Sequence, residues 1–286
     1  MSLEIITSIA EMERVADQLR STGKRIGVVP TMGYLHEGHL SLVRIAKKNA
    51  DVVITTIFVN PIQFSPHEDF SSYPRDLQRD VKLVEGAGSD VVFAPDTQAM
   101  YPENYMTYVE VEKITDVLEG KFRPTHFRGV TSVVAKLFNI AKPHVAVFGQ
   151  KDAQQAVVVK QMVHDLNFGI DIIVGPIVRE PDGLAMSSRN VYLSPPERSE
   201  ATVLVQSLRL AEELIRSGEK QCTGIIQQMH KLISSKSTTQ IDYISVADSS
   251  TLQEYSQLHT GLQALISIAV RIGRTRLIDN TLVTVP

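Results

Sequence analysis

The stretch Ile26-Gly27-Val28-Val29-Pro30-Thr31-Met32-Gly33-Tyr34-Leu35-His36-Glu37-Gly38-His39 contains a short apolar run, a glycine-bearing turn and the start of a helix. The run Ile26–Val29 is apolar on both faces, as expected of a strand buried inside a parallel sheet. From Gly38 onward, Leu40, Val43, Ile45 and Ala46 follow a helical pattern. A strand followed directly by a turn and a helix is the building unit of α/β sheets.

The pattern continues outward from this stretch. Val52–Val59, Val91–Ala94 and Val145–Phe148 read as buried strands, and residues 170–178 as a further one. Helical periodicity covers roughly 9–22, 38–50, 75–88, 129–141 and 152–167. This alternation predicts a Rossmann-like, doubly wound parallel sheet domain over residues 1–178. Such sheets bind ligands at the carboxyl ends of strands, where the chain order reverses. Beyond it the pattern changes. Pro181-Asp182-Gly183 is turn chemistry. Pro195-Pro196-Glu197 opens a long helical stretch, and residues 240–247, 263–270 and 276–284 read as strands. A smaller α+β domain over 179–286 is therefore expected. Asn60–Tyr73 is a long polar loop, of the kind that often forms a lid.

With 286 residues, 43% of them apolar and 21% charged, the chain can bury a core of ordinary size. Cys222 is its one cysteine, which excludes an intrachain disulfide and fits a reducing cytoplasm. No segment reaches the roughly 18 apolar residues of a membrane span. The start does not read as a signal peptide. A net charge of −3 argues against a broad nucleic-acid surface. P-loop, G-x-G-x-x-G, H-E-x-x-H and G-x-S-x-G motifs are absent, as is zinc-ligand spacing.

Two segments carry phosphate chemistry. The first is Pro30–His39. A helix N-terminus offers free N–H groups and a positive dipole end, which suits phosphate. His36 and His39, three apart, share one helical face. Read as imidazolium groups, they would donate to phosphate oxygens and stabilise charge growing at an α-phosphorus. Gly38 removes a Cβ, so that a flat base could approach the backbone, and Gly33 supports the turn. The plain alternative is a pair of surface histidines at a helix cap. The second segment, Met186-Ser187-Ser188-Arg189-Asn190, offers two hydroxyls, a fixed cation and backbone donors. Its plain alternative is a polar linker.

H-x-G-H followed by M-S-S-R resembles the nucleotidyltransferase superfamily. Phe58-Val59-Asn60-Pro61-Ile62-Gln63-Phe64, Tyr73-Pro74-Arg75, Pro124-Thr125-His126-Phe127 and Phe148-Gly149-Gln150-Lys151-Asp152-Ala153-Gln154-Gln155 narrow the match. In order, and over nearly the whole chain, these motifs resemble the pantothenate synthetase (pantoate–β-alanine ligase) family. Leu277-Ile278-Asp279-Asn280 resembles that family's C-terminal end.

The resemblance implies a cytoplasmic ligase of pantothenate biosynthesis. It would activate (R)-pantoate with ATP as pantoyl adenylate, then transfer the acyl group to β-alanine. Met32, Gly33, Tyr34, Leu35, His36, Glu37, Gly38 and His39 would bind ATP, with His39 as a proton donor. Gly149, Gln150, Lys151, Asp152, Val178, Met186, Ser187, Ser188 and Arg189 would complete the nucleotide site. Lys151 would face phosphate, Asp152 the ribose, and the Val178 backbone the adenine. Gln63 and Gln155 would hold pantoate, supported by Asn60, with Arg123 and His126 near the phosphates. His36, His39, Lys151 and Arg189 are the catalytic candidates. Mg2+ is expected with ATP and its protein ligands are unknown, Asp80 being a weak candidate. The second domain would close over the site, and a homodimer is expected, with no nucleic-acid or membrane partner. Alternatives are an adenylyltransferase for another acid, a tRNA-charging enzyme, disfavoured by size and charge, and an ATP-binding regulatory module.

Overall fold

A computed structural model of the chain describes residues 3–66 and 68–286. Six strands form one parallel sheet: β1 (Glu4–Ile6), β2 (Ile26–Thr31), β3 (Val52–Ile57), β4 (Val91–Phe93), β5 (Val145–Gly149) and β6 (Asp171–Gly175). Their order across the sheet is β1-β4-β3-β2-β5-β6. The chain moves outward from β2 through β3 to β4, then returns to lay β5 on the other side of β2. The order therefore reverses between β2 and β5, the position at which a doubly wound sheet opens its crevice.

Successive side chains of the central strands point to opposite faces. Ile26 and Val28 of β2, with Ala146 and Phe148 of β5, pack under the helices Ile9–Ser21, His126–Ala141 and Ala153–Asp165. Val29, Val145 and Val147 pack under the helices Glu37–Asn49 and Leu77–Ala87. Both faces are covered, which explains strands that are apolar throughout. Asp76 opens its helix by accepting the Arg79 N–H at 3.0 Å.

The strand at 170–178 is shorter than expected and ends at Gly175. The segment that follows folds back on itself, with Arg179 bridged to Ala185. A second core then begins with Leu184. It joins the helices Val203–Arg216 and Cys222–Ile233 to an antiparallel sheet of β7 (Thr239–Asp248), β8 (Gln263–Ile272) and β9 (Thr275–Thr284). The sheet's other side faces the first unit, where Tyr243 donates to Glu119 at 3.0 Å and Arg276 forks onto the same carboxylate at 2.6 and 2.8 Å. Among the described residues, no helix is long and apolar enough to cross a membrane.

Candidate active site

A cleft of about 210 Å³ lies over the β2/β5 switch point. Its floor is the turn leaving β2. The Thr31 hydroxyl donates to the Thr56 carbonyl at 2.6 Å and accepts the Gly33 N–H at 3.3 Å. Gly33 and Tyr34 take left-handed conformations, φ 84° and 49°, which makes the turn tight. Asp80 holds it from beneath, accepting the N–H groups of Tyr34 at 2.6 Å and Leu35 at 2.8 Å. Leu35 is fully buried in the core.

His36 is the N-cap of the helix Glu37–Asn49, and it caps in an unusual reciprocal way. Its Nδ1 accepts the Gly38 N–H at 3.1 Å, while His39 Nδ1 accepts the His36 N–H at 3.3 Å. Each Nδ1 is therefore an acceptor, which leaves each Nε2 carrying the proton. Burial, and then Lys151, lower the His36 pKa to about 4. Burial, His36 and Lys151 hold His39 well below its usual value. Both rings are neutral at pH 7, which corrects the imidazolium reading: each keeps one neutral Nε2–H. Gly38 has a steric role in this cap. A Cβ there would lie 2.8 Å from His36 Cε1, so the glycine also makes room for the capping imidazole. Glu37 is turned away from the cleft and pairs with Arg44 on the outer surface.

The opposite wall follows β5. Gly149, Lys151, Asp152 and Gln155 line the cleft. Gln150 does not, because its side chain donates to Asn280 Oδ1 at 2.9 Å on β9. Gln63 is 7% exposed, and its amide oxygen accepts from Asn60 at 3.1 Å. Asn60 also donates to the Gly129 carbonyl at 3.0 Å and accepts from Tyr101 at 2.8 Å. Gln63 and Gln155, 92 positions apart in sequence, thus reach the same cavity.

Val178, Met186, Ser187, Ser188 and Arg189 form the roof. The Val178 carbonyl accepts the Met186 N–H at 3.0 Å. Ser188 donates to the Tyr34 carbonyl at 3.1 Å, which ties the roof to the floor. Arg189 forks onto Asp69 at 2.9 and 2.8 Å, and Arg123 onto Glu68 at 2.6 and 2.9 Å. Burial would raise these two carboxyls, but their arginines outweigh it and hold both below their usual values. Arg123 also meets His126 Nε2 at 3.1 Å, and His126 Nδ1 meets the Gln63 carbonyl at 3.0 Å. Burial and the neighbouring Arg123 lower the His126 pKa to about 4.

The cleft gathers most of the expected residues. Met32, His36, Gly38 and His39 line it, whereas Gly33, Tyr34, Leu35 and Glu37 support it or point elsewhere. Sequence reasoning missed Glu68 and Asp69, whose partners lie 55 and 120 positions away. Among the described residues, no three His, Cys, Asp or Glu side chains cluster to hold a metal. Asp80, 1% exposed and committed to two backbone N–H groups, is not placed to ligate one.

Comparison with known proteins identifies the family. Residues 4–282 match the family model described as pantoate-beta-alanine ligase. The pantothenate synthetase of a Thermoanaerobacter species is 55% identical over 278 residues, 97% of this chain and 98% of that one. That of Acetivibrio thermocellus is 54% identical over 283 residues, 99% of this chain and all of the relative. The crystal structure of pantothenate synthetase from Thermus thermophilus superposes with a TM-score of 0.91 at 41% identity, covering 97% and 98% of the two chains. A Francisella tularensis pantoate-beta-alanine ligase, described as complexed with beta-gamma ATP and beta-alanine, gives 0.81 at 34% identity, covering 98% and 97%. The chain belongs to the pantoate-beta-alanine ligase family.

Proposed function

We propose that this cleft performs the family's ATP-dependent ligation of pantoate to β-alanine in two steps through pantoyl adenylate. A pantoate carboxylate oxygen attacks the α-phosphorus of ATP, and the bond to pyrophosphate breaks. The β-alanine amine then attacks the acyl carbon, loses a proton, and AMP leaves with the oxygen that linked it to the acyl group. Adenylation is needed because a bare carboxylate is a poor acyl donor.

One observation carries this reading. Two neutral imidazole donors, Lys151, Arg189 and the two carboxamides Gln63 and Gln155 all line a single cleft. The Nε2–H groups of His36 and His39 bind the phosphates, with Lys151, Ser187, Ser188 and Arg189 on the pyrophosphate side. Asp152 takes the ribose, and the Val178 N–H takes the adenine, its carbonyl being used by Met186. Gln63 and Gln155 hold pantoate, since a carboxamide can donate to a carboxylate and accept from a hydroxyl. Arg123 and His126 border the pantoate end, where His126 holds the Gln63 backbone. Mg2+ accompanies ATP and neutralises phosphate charge, with water completing its shell.

The second domain, 179–286, closes over the nucleotide. The reaction belongs in the cytoplasm. A homodimer formed through the first domain is expected. Light scattering should then give twice 31.7 kDa.

The test is exchange of labelled pyrophosphate into ATP. Exchange should require pantoate, and adding β-alanine should release AMP. Exchange without pantoate, or no AMP with all substrates present, would contradict the assignment.

A further inference from the structure

We infer that Asn280 is a positioning residue for Lys151, through which the C-terminal sheet sets the phosphate side of the cleft. This rests on the reading of Lys151 as a phosphate-binding group. The single turn Gln150–Asp152 leaves β5 with Lys151 at its centre. Asn280 Nδ2 donates to the carbonyls of Gln150 at 2.9 Å and Lys151 at 3.0 Å. Gln150 Nε2 returns a bond to Asn280 Oδ1 at 2.9 Å. Asn280 is 3% exposed, so water has little room to replace it.

The preceding residue grips the other wall. Asp279, 1% exposed, accepts both arms of Arg179 at 2.6 and 3.0 Å and also the Asn280 N–H at 2.8 Å. Arg179 begins the segment that returns to Met186. Two consecutive residues of β9 thus hold the Lys151 turn and the base of the Met186–Arg189 loop in one frame. A carboxamide suits position 280 because it donates twice and accepts at once. Aspartate would set an anion against two carbonyls, and alanine would leave both without this partner. Either change frees the Lys151 backbone, and displacement of about 1 Å can lower a rate by on the order of 10²-fold.

The test is a double-mutant cycle on pantoate-dependent pyrophosphate exchange. Asn280→Ala should lower the exchange rate roughly 10- to 100-fold. The KM for pantoate, held elsewhere, should stay within about twofold. Lys151→Ala should lower the rate at least as much, and the double variant should match Lys151→Ala alone. Losses that multiply would overturn the coupling while leaving the role of Lys151 intact. A normal rate for Lys151→Ala would overturn both. If Asn280→Ala does not fold, Gln150→Ala removes the return bond and leaves β9 intact. Its smaller loss should vanish in the Lys151→Ala background, and a loss that persists would overturn the inference.

Discussion

His36 and His39 share one helix start, where the Gly38 N–H fixes the tautomer of His36 and the His36 N–H that of His39. Each ring accepts a backbone N–H at Nδ1, at 3.1 and 3.3 Å, and their centroids lie 4.1 Å apart. Helix capping therefore uses the Nδ1 edge of each imidazole and leaves the Nε2–H edge for the phosphate role proposed for it. His39→Asn separates the two roles, because its carbonyl can still accept the His36 N–H but no Nε2–H remains. We expect near-native melting and a rate at least about 10²-fold lower, the scale of losing one transition-state donor. A near-normal exchange rate would remove His39 from the chemistry.

Gly38→Ala should act through His36. The added Cβ would sit 2.8 and 2.9 Å from His36 Cε1 and Nδ1, so the ring must leave its cap. We expect a cost of about 1 kcal/mol for the lost cap, with a disproportionate fall in exchange rate. Denaturant melts and exchange assays on the same preparation check this, and an unchanged rate would contradict the packing argument.

Asp80→Asn distinguishes a structural carboxylate from a metal ligand. Asparagine can accept one of the two N–H groups that Asp80 now holds, but its amide nitrogen faces the other. Unfolding free energy should fall by about 1–3 kcal/mol, with the Mg2+ concentration for half-maximal rate unchanged. Unchanged stability with a shifted Mg2+ requirement would reverse the interpretation.

Stability should fall on mild acidification. Native His126 loses its proton near pH 4, whereas an unfolded histidine does so near 6.5. Between these values the unfolded chain binds more protons, so the contribution is complete above pH 6.5 and lost as the pH drops toward 4. Its full size is on the order of 3 kcal/mol. His126→Asn removes the titration. Its melting temperature should depend less on pH across this window than the parent's, and equal slopes would show that His126 is not the titrating group.

Much of the fold was legible because its signals are local. β2, β3, β4 and β5 are apolar runs, and the three late strands fall within two residues of expectation. β1 escaped notice because it spans three residues at the sheet edge, with Ile5 half exposed. Strand order was not legible, since pairing Gly27 with Val145 is a matter of distant register. The site divides along the same line. His36, His39, Gln63, Gln155 and Lys151 lie in contiguous motifs. Glu68, Asp69 and Asn280 draw their meaning from partners 55 to 130 positions away. The protonation of the histidines was misjudged because burial of their rings is a property of the folded cleft.

The route through an acyl adenylate is tested most directly by labelling both pantoate carboxylate oxygens with oxygen-18. Attack by that carboxylate on the α-phosphorus, followed by cleavage at the acyl carbon, carries one labelled oxygen into AMP and leaves the other in the amide product. Mass spectrometry of the two products should find that distribution. Label absent from AMP, or present in inorganic phosphate or pyrophosphate, would contradict it.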